Sequence, residues 1–301
     1  TGPDISGPVT SQGFNLIKST TGATTTGITS NNITGQDPVL SPLANNGGSV
    51  QTHMLLPGSP ALDAADPANF PTTDARGNSR PIDGDGNGTS VPDIGAFERR
   101  PGILQFSSST FSAPENVAGG AATITVTRTN GTDGSVSIQY GTSDGTATAG
   151  TDYQSANGTL TLANGVASST FSVPITNDTL FEPDETVNLM VVNPLGGATL
   201  GNPALAVLTI TNDDPQPMPA TVNGRVTGPD GRALRNVTII MTDSLGVTRT
   251  ATASSFGLFT FTDVPAGQTY TFRVVSRLFR FANTSVQING DMTLPDLVGL
   301  E

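Results

Sequence analysis

The chain has 301 residues and a formal net charge of −12, with a single His and no Cys. That length predicts two or three domains, because single cores rarely grow much beyond about 250 residues. The missing Cys excludes disulfides, thiol chemistry and zinc-thiolate sites, and the acidic balance makes nucleic acid and anionic lipid poor partners. No apolar run approaches the ~20 residues of a membrane-spanning helix, and no signal peptide opens the sequence. Thr1 follows no initiator Met, and we expect a mature or excised piece of a longer secreted chain.

Aromatic residues are scarce, while Gly, Thr, Ser and Asn abound. Short alternating stretches broken by Asn-Gly, Asp-Gly and Gly-Gly turns recur, and helix-period apolar patterns are almost absent, so the fold is expected to be all-β. A Thr-rich, cysteine-free β protein points to an extracellular, cell-surface setting. The one Lys, Lys18, rules out Lys–Asn isopeptide cross-links after residue 100. Charge is unevenly spread: residues 1–100 carry −4, residues 101–215 carry −9 with Arg128 as their one cation, and residues 216–301 carry +1.

Two boundaries organise the chain. One lies near Arg99-Arg100-Pro101-Gly102. The other is the connector 215–219, where Pro215, Pro217 and Pro219 predict a stiff, extended linker. The expected domains are therefore 1–100, 101–214 and 220–301.

Residues 1–100 lack sandwich-like alternation and show Asn pairs and isolated aliphatic positions, as in Ile28-Thr-Ser-Asn-Asn-Ile33. Within them, SPLANNGGSVQTHMLLPGSPALDAAD (41–66) and TDARGNSRPIDGDGNGTSVPDIGAFE (73–98) resemble the C-terminal end of bacterial right-handed parallel β-helix surface proteins. The likeness covers residues 8–98 and implies a few terminal coils and an irregular cap. A coil cannot bury its apolar face alone, so the first coil needs a neighbour. Upstream coils of a longer chain or head-to-tail self-association into a filament would supply it. Inside this stretch Asp83-Gly-Asp85-Gly-Asn87-Gly88 repeats the start of an EF-type calcium loop. Position twelve is Ile94 and the acid Asp93 is one residue early, so Asp83, Asp85, Asn87 and Asp93 make a weak metal candidate against a loop that hydrogen-bonds itself.

Residues 101–214 alternate well, as in Ala122-Thr-Ile-Thr-Val-Thr-Arg128 and Leu205-Ala-Val-Leu-Thr-Ile210, with turns about every ten residues, the pattern of a seven-strand sandwich. Their acids gather at strand ends: Glu115, Asp144, the run Asp178, Glu182, Asp184, Glu185, and Asp213-Asp214. Calcium takes six to eight oxygen ligands, largely carboxylates, and a divalent ion removes the repulsion of crowded carboxylates that lack a counter-charge. At ENVAGG (115–120), SDGTATAGTDY (143–153), NDTLFEPDET (177–186) and GNPALAVLTITNDD (201–214) the segment resembles a Calx-β domain, the calcium-binding sandwich of sodium–calcium exchangers and many adhesins. That resemblance implies calcium ligands at Glu115, Asp144, Asp178, Glu182, Glu185, Asp213 and Asp214, with the Leu180 carbonyl as an extra. Asn177 and Asn212 stand where the most calcium-avid members have Asp, implying fewer ions or weaker affinity.

Residues 220–300 give strand, Pro-Asp-Gly turn and strand in VNGRVTGPDGRALRNVTIIMTD (222–243), then two more strands in FGLFTFTDVPAGQTYTFRV (256–274). This is similar to the carboxypeptidase regulatory-like (transthyretin-like) sandwich, an accessory, non-catalytic module. Arg273, Arg277 and Arg280 read as solvated positions or an acidic-ligand patch.

Catalysis has little to stand on, since His53 lies far from any nucleophile pattern. The expectation is a non-catalytic module of a surface fibre or adhesin, with calcium stiffening the middle sandwich beside the Pro connector. The alternatives are the accessory C-terminal region of a secreted carbohydrate-active β-helix enzyme and a calcium sensor.

Overall fold

Alternation of apolar and polar residues carries most of the chain into strands. The computed structural model describes residues 3–216 and 218–300, and among these residues there is no helix, so none is long and apolar enough to cross a membrane. The chain divides into two compact units, residues 1–213 and 214–301.

The first unit opens with four short strands: β1 (Gly7–Gln12), β2 (Leu16–Ile17), β3 (Ala23–Ile28) and β4 (Ile33–Thr34). β1 pairs with β3 in parallel at an offset of 16 residues, and β2 pairs with β4 in parallel at an offset of 17. Like residues therefore lie over like: Thr10 Oγ1 is 3.4 Å from Thr26 Oγ1, and Asn15 Nδ2 donates to Asn32 Oδ1 at 3.0 Å. Buried Ser11 donates to the Ile28 carbonyl at 2.7 Å and closes the network. The parallel pairing stops there. From residue 35 to 100 the described residues form isolated bridges, such as Leu40–Leu55 and Ala44–Thr52, and no strand.

Met54, Leu55, Ala61 and Phe97 make a small core under that irregular segment. Backbone bridges and buried arginines add to it. The Arg76 guanidinium lies 3.6 Å from the Phe97 ring centre. It donates to Asp74 at 2.8 Å and to both carboxylate oxygens of Asp133 at 3.0 Å. Asp74 also accepts N–H bonds from Arg76, Asn78 and Glu98. Arg99, fully buried, donates to the carbonyls of Gly84 and Gly196. Asp133 and Gly196 belong to the following sandwich, so the expected boundary near residue 100 is bridged by packed arginines.

The sandwich comprises β5 (Ile103–Phe106), β6 (Thr110–Pro114), β7 (Ala121–Thr129), β8 (Val136–Asp144), β9 (Asn157–Leu162), β10 (Ser168–Pro174), β11 (Glu185–Leu195), β12 (Thr199–Leu200) and β13 (Leu205–Thr211). One sheet runs β10-β7-β5-β12, the other β6-β13-β11-β8-β9. Inward residues on alternate positions, among them Ile124, Val126, Ile138, Val187, Leu189, Leu208 and Ile210, form the core. Each such side chain stabilises the fold by roughly 1.5–3 kcal/mol. Arg128 falls on the same inward phase, and its guanidinium satisfies the Pro101, Asp133 and Gly134 carbonyls at 2.7, 2.8 and 3.0 Å.

The second unit is a smaller sandwich of β14 (Ala220–Thr227), β15 (Thr238–Thr242), β16 (Thr248–Thr252), β17 (Leu258–Val264), β18 (Gln268–Val275), β19 (Thr284–Ile288), β20 (Met292–Thr293) and β21 (Leu297–Val298). One sheet runs β17-β14-β20 with β21 also on β14, the other β16-β15-β18-β19. Val222, Ile239, Met241, Phe259, Phe261 and Phe272 fill the space between them.

Arg76→Ala would leave Asp74 buried without its cation. Breaking a buried pair costs about 3–5 kcal/mol, so urea unfolding of the full chain should show the first unit's transition at a clearly lower midpoint. An unchanged midpoint would mean that the arginine only decorates the junction.

Candidate metal centre

Sheet register gathers the acids. β13 runs parallel to β6, with Thr211 opposite Pro114. β11 runs antiparallel to β13, with Glu185 opposite Ile210, and antiparallel to β8, with Val187 opposite Asp144. The ends of β6, β8 and β13 and the start of β11 therefore share one edge of the sheet. Glu115, the β8–β9 loop, the β10–β11 loop and Asp213 all project from that edge.

Two acidic groups result. Asp152, Glu182 and Glu185 each bring a carboxylate oxygen within 4.8 Å of the others, and Glu115 and Asp178 do the same for one another. The groups sense each other: the Glu185 carboxyl is pushed up to about 7, first by burial, then by the charge and hydrogen bond of Asp152, then by Glu182 and Glu115. Arg128 gives no relief, because it is held at the other end of β7 by the carbonyls near residues 101 and 134.

The surrounding loop is tied in place. Asp178 Oδ1 accepts the Leu180 N–H at 2.7 Å. Asn212 Oδ1 accepts the Glu182 N–H at 3.1 Å, and its own N–H donates to Asp184 at 3.1 Å. Asp213 accepts from the Asn116 side-chain amide. Asp214 is half-buried and begins the second unit.

Two residues change roles relative to the sequence expectation. Asp144 stands outside both groups; its Oδ1 accepts the Ala149 N–H at 3.0 Å and the Tyr153 hydroxyl at 2.7 Å. Asp152, which the sequence reading passed over, takes its place beside Glu182 and Glu185. The signal was within reach, since Asp152 sits in the same quoted stretch and next to a core tyrosine, Tyr153.

The weaker candidate is redrawn too. Among carboxylates, Asp83 and Asp85 are joined by Asp63 and not by Asp93. Asp83 is occupied by the N–H groups of Gly86, Asn87 and Gly88, and Asn87 turns its amide nitrogen toward Asp85. Asp93 is fully buried and accepts the N–H groups of Asp63 and Arg99 at 2.8 and 2.6 Å. Burial pushes its carboxyl up to about 7. These are the contacts of a self-bonded loop. His53 lies on the surface, with Nδ1 2.7 Å from the Ser41 carbonyl oxygen.

Residues 98–214 match the family model of the Calx-beta domain. The chain carries a Calx-beta domain. Residues 221–296 match the carboxypeptidase regulatory-like domain. The sodium/calcium exchanger Calx of Drosophila melanogaster is 38% identical over 78 residues, which are 26% of this chain and 8% of the exchanger. Adhesion G-protein coupled receptor V1 of Danio rerio is 38% identical over 116 residues, 38% of this chain and 2% of the receptor. The chain thus spans only a small fraction of these relatives. Among solved structures, the apo-form Calx CBD1 domain is 32% identical, covering 37% of this chain and 97% of that one at a TM-score of 0.35.

Glu185 gives the Calx-beta domain a pH dependence of known sign. Its folded pKa, about 7, lies above the ordinary 4.5. The stability it contributes is complete below about 4.5 and is lost as pH rises through about 7. Metal-free protein in excess chelator should therefore lose thermal stability across that window, and Glu185→Gln should flatten the slope. Equal slopes for the two proteins would remove Glu185 from the acidic group.

Proposed function

We propose that the Calx-beta sandwich binds calcium through Glu115, Asp152, Asp178, Glu182 and Glu185, with Asp213 and Asp214 added from the end of β13. The observation that carries this reading is the crowding of carboxylates at one sheet edge while the sandwich's sole cation is held at the other. Two unit charges about 4.8 Å apart repel by roughly 3 kcal/mol at an intermediate dielectric. A divalent ion turns that repulsion into attraction, and a set of carboxylate oxygens suits calcium's coordination. The names of the relatives support the same ion.

The protein as a whole is, in this reading, a non-catalytic extracellular module of a surface fibre or adhesin. A cysteine-free, Thr-rich, all-β chain supports that setting. The parallel pairs at offsets of 16 and 17 residues, with Asn15 over Asn32, support a β-helix-like beginning. β1 has a strand neighbour on one side only among the described residues, which suits a further coil or a second copy as partner. Asp213-Asp214 adjoin the Pro connector covalently, so bound calcium would stiffen that hinge.

Calorimetric titration of chelated protein tests the reading. Affinity is expected between about 10⁻⁶ and 10⁻³ M, the range of modest oxygen sites, and calcium should raise the melting temperature because it binds only the folded state. Asp178→Ala should lose most of that rise while its metal-free melting point stays at or above the wild-type value, since the change removes repulsion and no core volume. Neither heat nor thermal shift with wild-type protein would end the calcium reading.

A further inference from the structure

The loop that delivers Asp152 is closed by hydrogen bonds inside the protein itself. β8 ends at Asp144, whose carbonyl accepts from the Asn188 side chain on β11 at 2.8 Å. Its carboxylate Oδ1 reaches over the following turn to the Ala149 N–H at 3.0 Å and the Tyr153 hydroxyl at 2.7 Å. Tyr153 has no exposed surface, so its hydroxyl is a fixed point of the core. Burial and the Asp144 bond push that phenol up to about 12, keeping it a donor at any physiological pH.

Between these anchors the turn is shut. Gly150 N–H donates to the Tyr153 carbonyl at 2.7 Å, and Thr148 N–H donates to Asp152 Oδ2 at 2.7 Å. The flanks lock onto elements that carry the other acids. Thr146 N–H donates to Thr186 Oγ1 at 3.1 Å, and Ala147 N–H donates to the Thr186 carbonyl at 3.1 Å, beside Glu185. Gly145 permits this approach, since a Cβ there would sit 2.4 Å from the Thr186 carbonyl oxygen. On the other side Thr176 N–H donates to the Asp152 carbonyl at 2.9 Å, two residues before Asp178.

We propose that Asp144 is a positioning residue of the calcium site: it is no ligand, and by holding the Ala149 N–H and the Tyr153 hydroxyl it fixes the loop that presents Asp152 to Glu182 and Glu185. The proposal rests on the calcium reading above. Its physical basis is pre-organisation, because a loop already in place has little ordering entropy left to lose on binding. Groups that orient a ligand from behind typically alter metal affinity by about 10–100-fold.

The experiment uses the full chain with calcium titration, and hydrogen exchange of the metal-free protein as a second readout. Asp144→Ala should weaken calcium binding about tenfold or more and speed exchange of the Ala149 amide. Asp144→Asn keeps the Oδ1 acceptor and should restore affinity to within about threefold, along with slow exchange. Tyr153→Phe, which removes only the hydroxyl, should weaken binding in the same direction. Equal losses in Asp144→Ala and Asp144→Asn would show that the charge matters, making Asp144 a ligand and overturning the proposal. Unchanged affinity in both Asp144→Ala and Tyr153→Phe would overturn it as well. Should Asp144→Ala fail to fold, the Asp144→Asn and Tyr153→Phe pair decides alone. Asp152→Asn separates the two levels. Wild-type affinity there sinks the calcium assignment itself, whereas a large loss there beside an unaffected Asp144→Ala sinks only the positioning role.

Discussion

β11 lies between β8 and β13, and its first residues decide where the acids of the sandwich meet. Glu185 is already in the ladder, opposite Ile210, so the acidic group is anchored in backbone hydrogen bonds on one side. A one-residue slip of β11 would turn Val187, Leu189 and Val191 to solvent, which the buried core forbids. Register is therefore set by hydrophobic burial, and the crowding of carboxylates is its consequence. Like-charge repulsion near the edge works against a ladder that the whole core holds in place. Backbone pairing and core burial therefore hold the carboxylates together against their own repulsion.

At the other end of the same sandwich Arg128 and Arg99 answer carbonyls instead of carboxylates. Arg128 is folded under by Pro101, Asp133 and Gly134, and Arg99 by Gly84 and Gly196. Gly197 allows the latter contact, since a Cβ there would stand 2.4 Å from the Arg99 guanidinium. Burial lowers the pKa of both arginines. Arg99 ties the Gly84 carbonyl to the sandwich and Arg128 closes on the sandwich's own loops, and those duties keep both away from the acidic edge. The sandwich is thus polarised along its length, with buried arginines at one end and the carboxylates of Asp152, Glu182 and Glu185 gathered at the other.

Strands and their inward faces were legible because alternation carries that information directly, as in Ala122, Ile124 and Val126. The gathering of acids at that edge was legible, and which of two loop acids joins Glu182 and Glu185 was not. Asp144 and Asp152 lie in one loop, and nothing in their spacing says which carboxylate turns toward Glu185 and which turns back to the Tyr153 hydroxyl; a tertiary hydrogen bond decides. Asp63 was missed for a similar reason, since 20 residues separate it from Asp83 and only folding brings them together. In residues 35–100 motif resemblance ran ahead of structure. Pro- and Gly-rich stretches there supply no alternating run long enough to pair, and the parallel strands end with β4. Asp93 was grouped with exposed loop acids on proximity alone, although its neighbours Pro92 and Phe97 are buried with it.

Asn212, where more acidic relatives are expected to carry Asp, has a structural task. Asn212 spans the gap between β13 and the β10–β11 loop, accepting from Glu182 N–H through its side chain and donating to Asp184 through its backbone. An aspartate could accept the first bond equally well, so geometry alone does not select the amide. Electrostatics does. Glu182 and Glu185 already share a few ångströms with Asp152, and burial followed by those charges pushes the Glu185 carboxyl up to about 7. A further carboxylate at 212 would raise the cost of the metal-free state and the gain on binding together, moving the protein toward obligate occupancy. The amide keeps the tether and drops the charge.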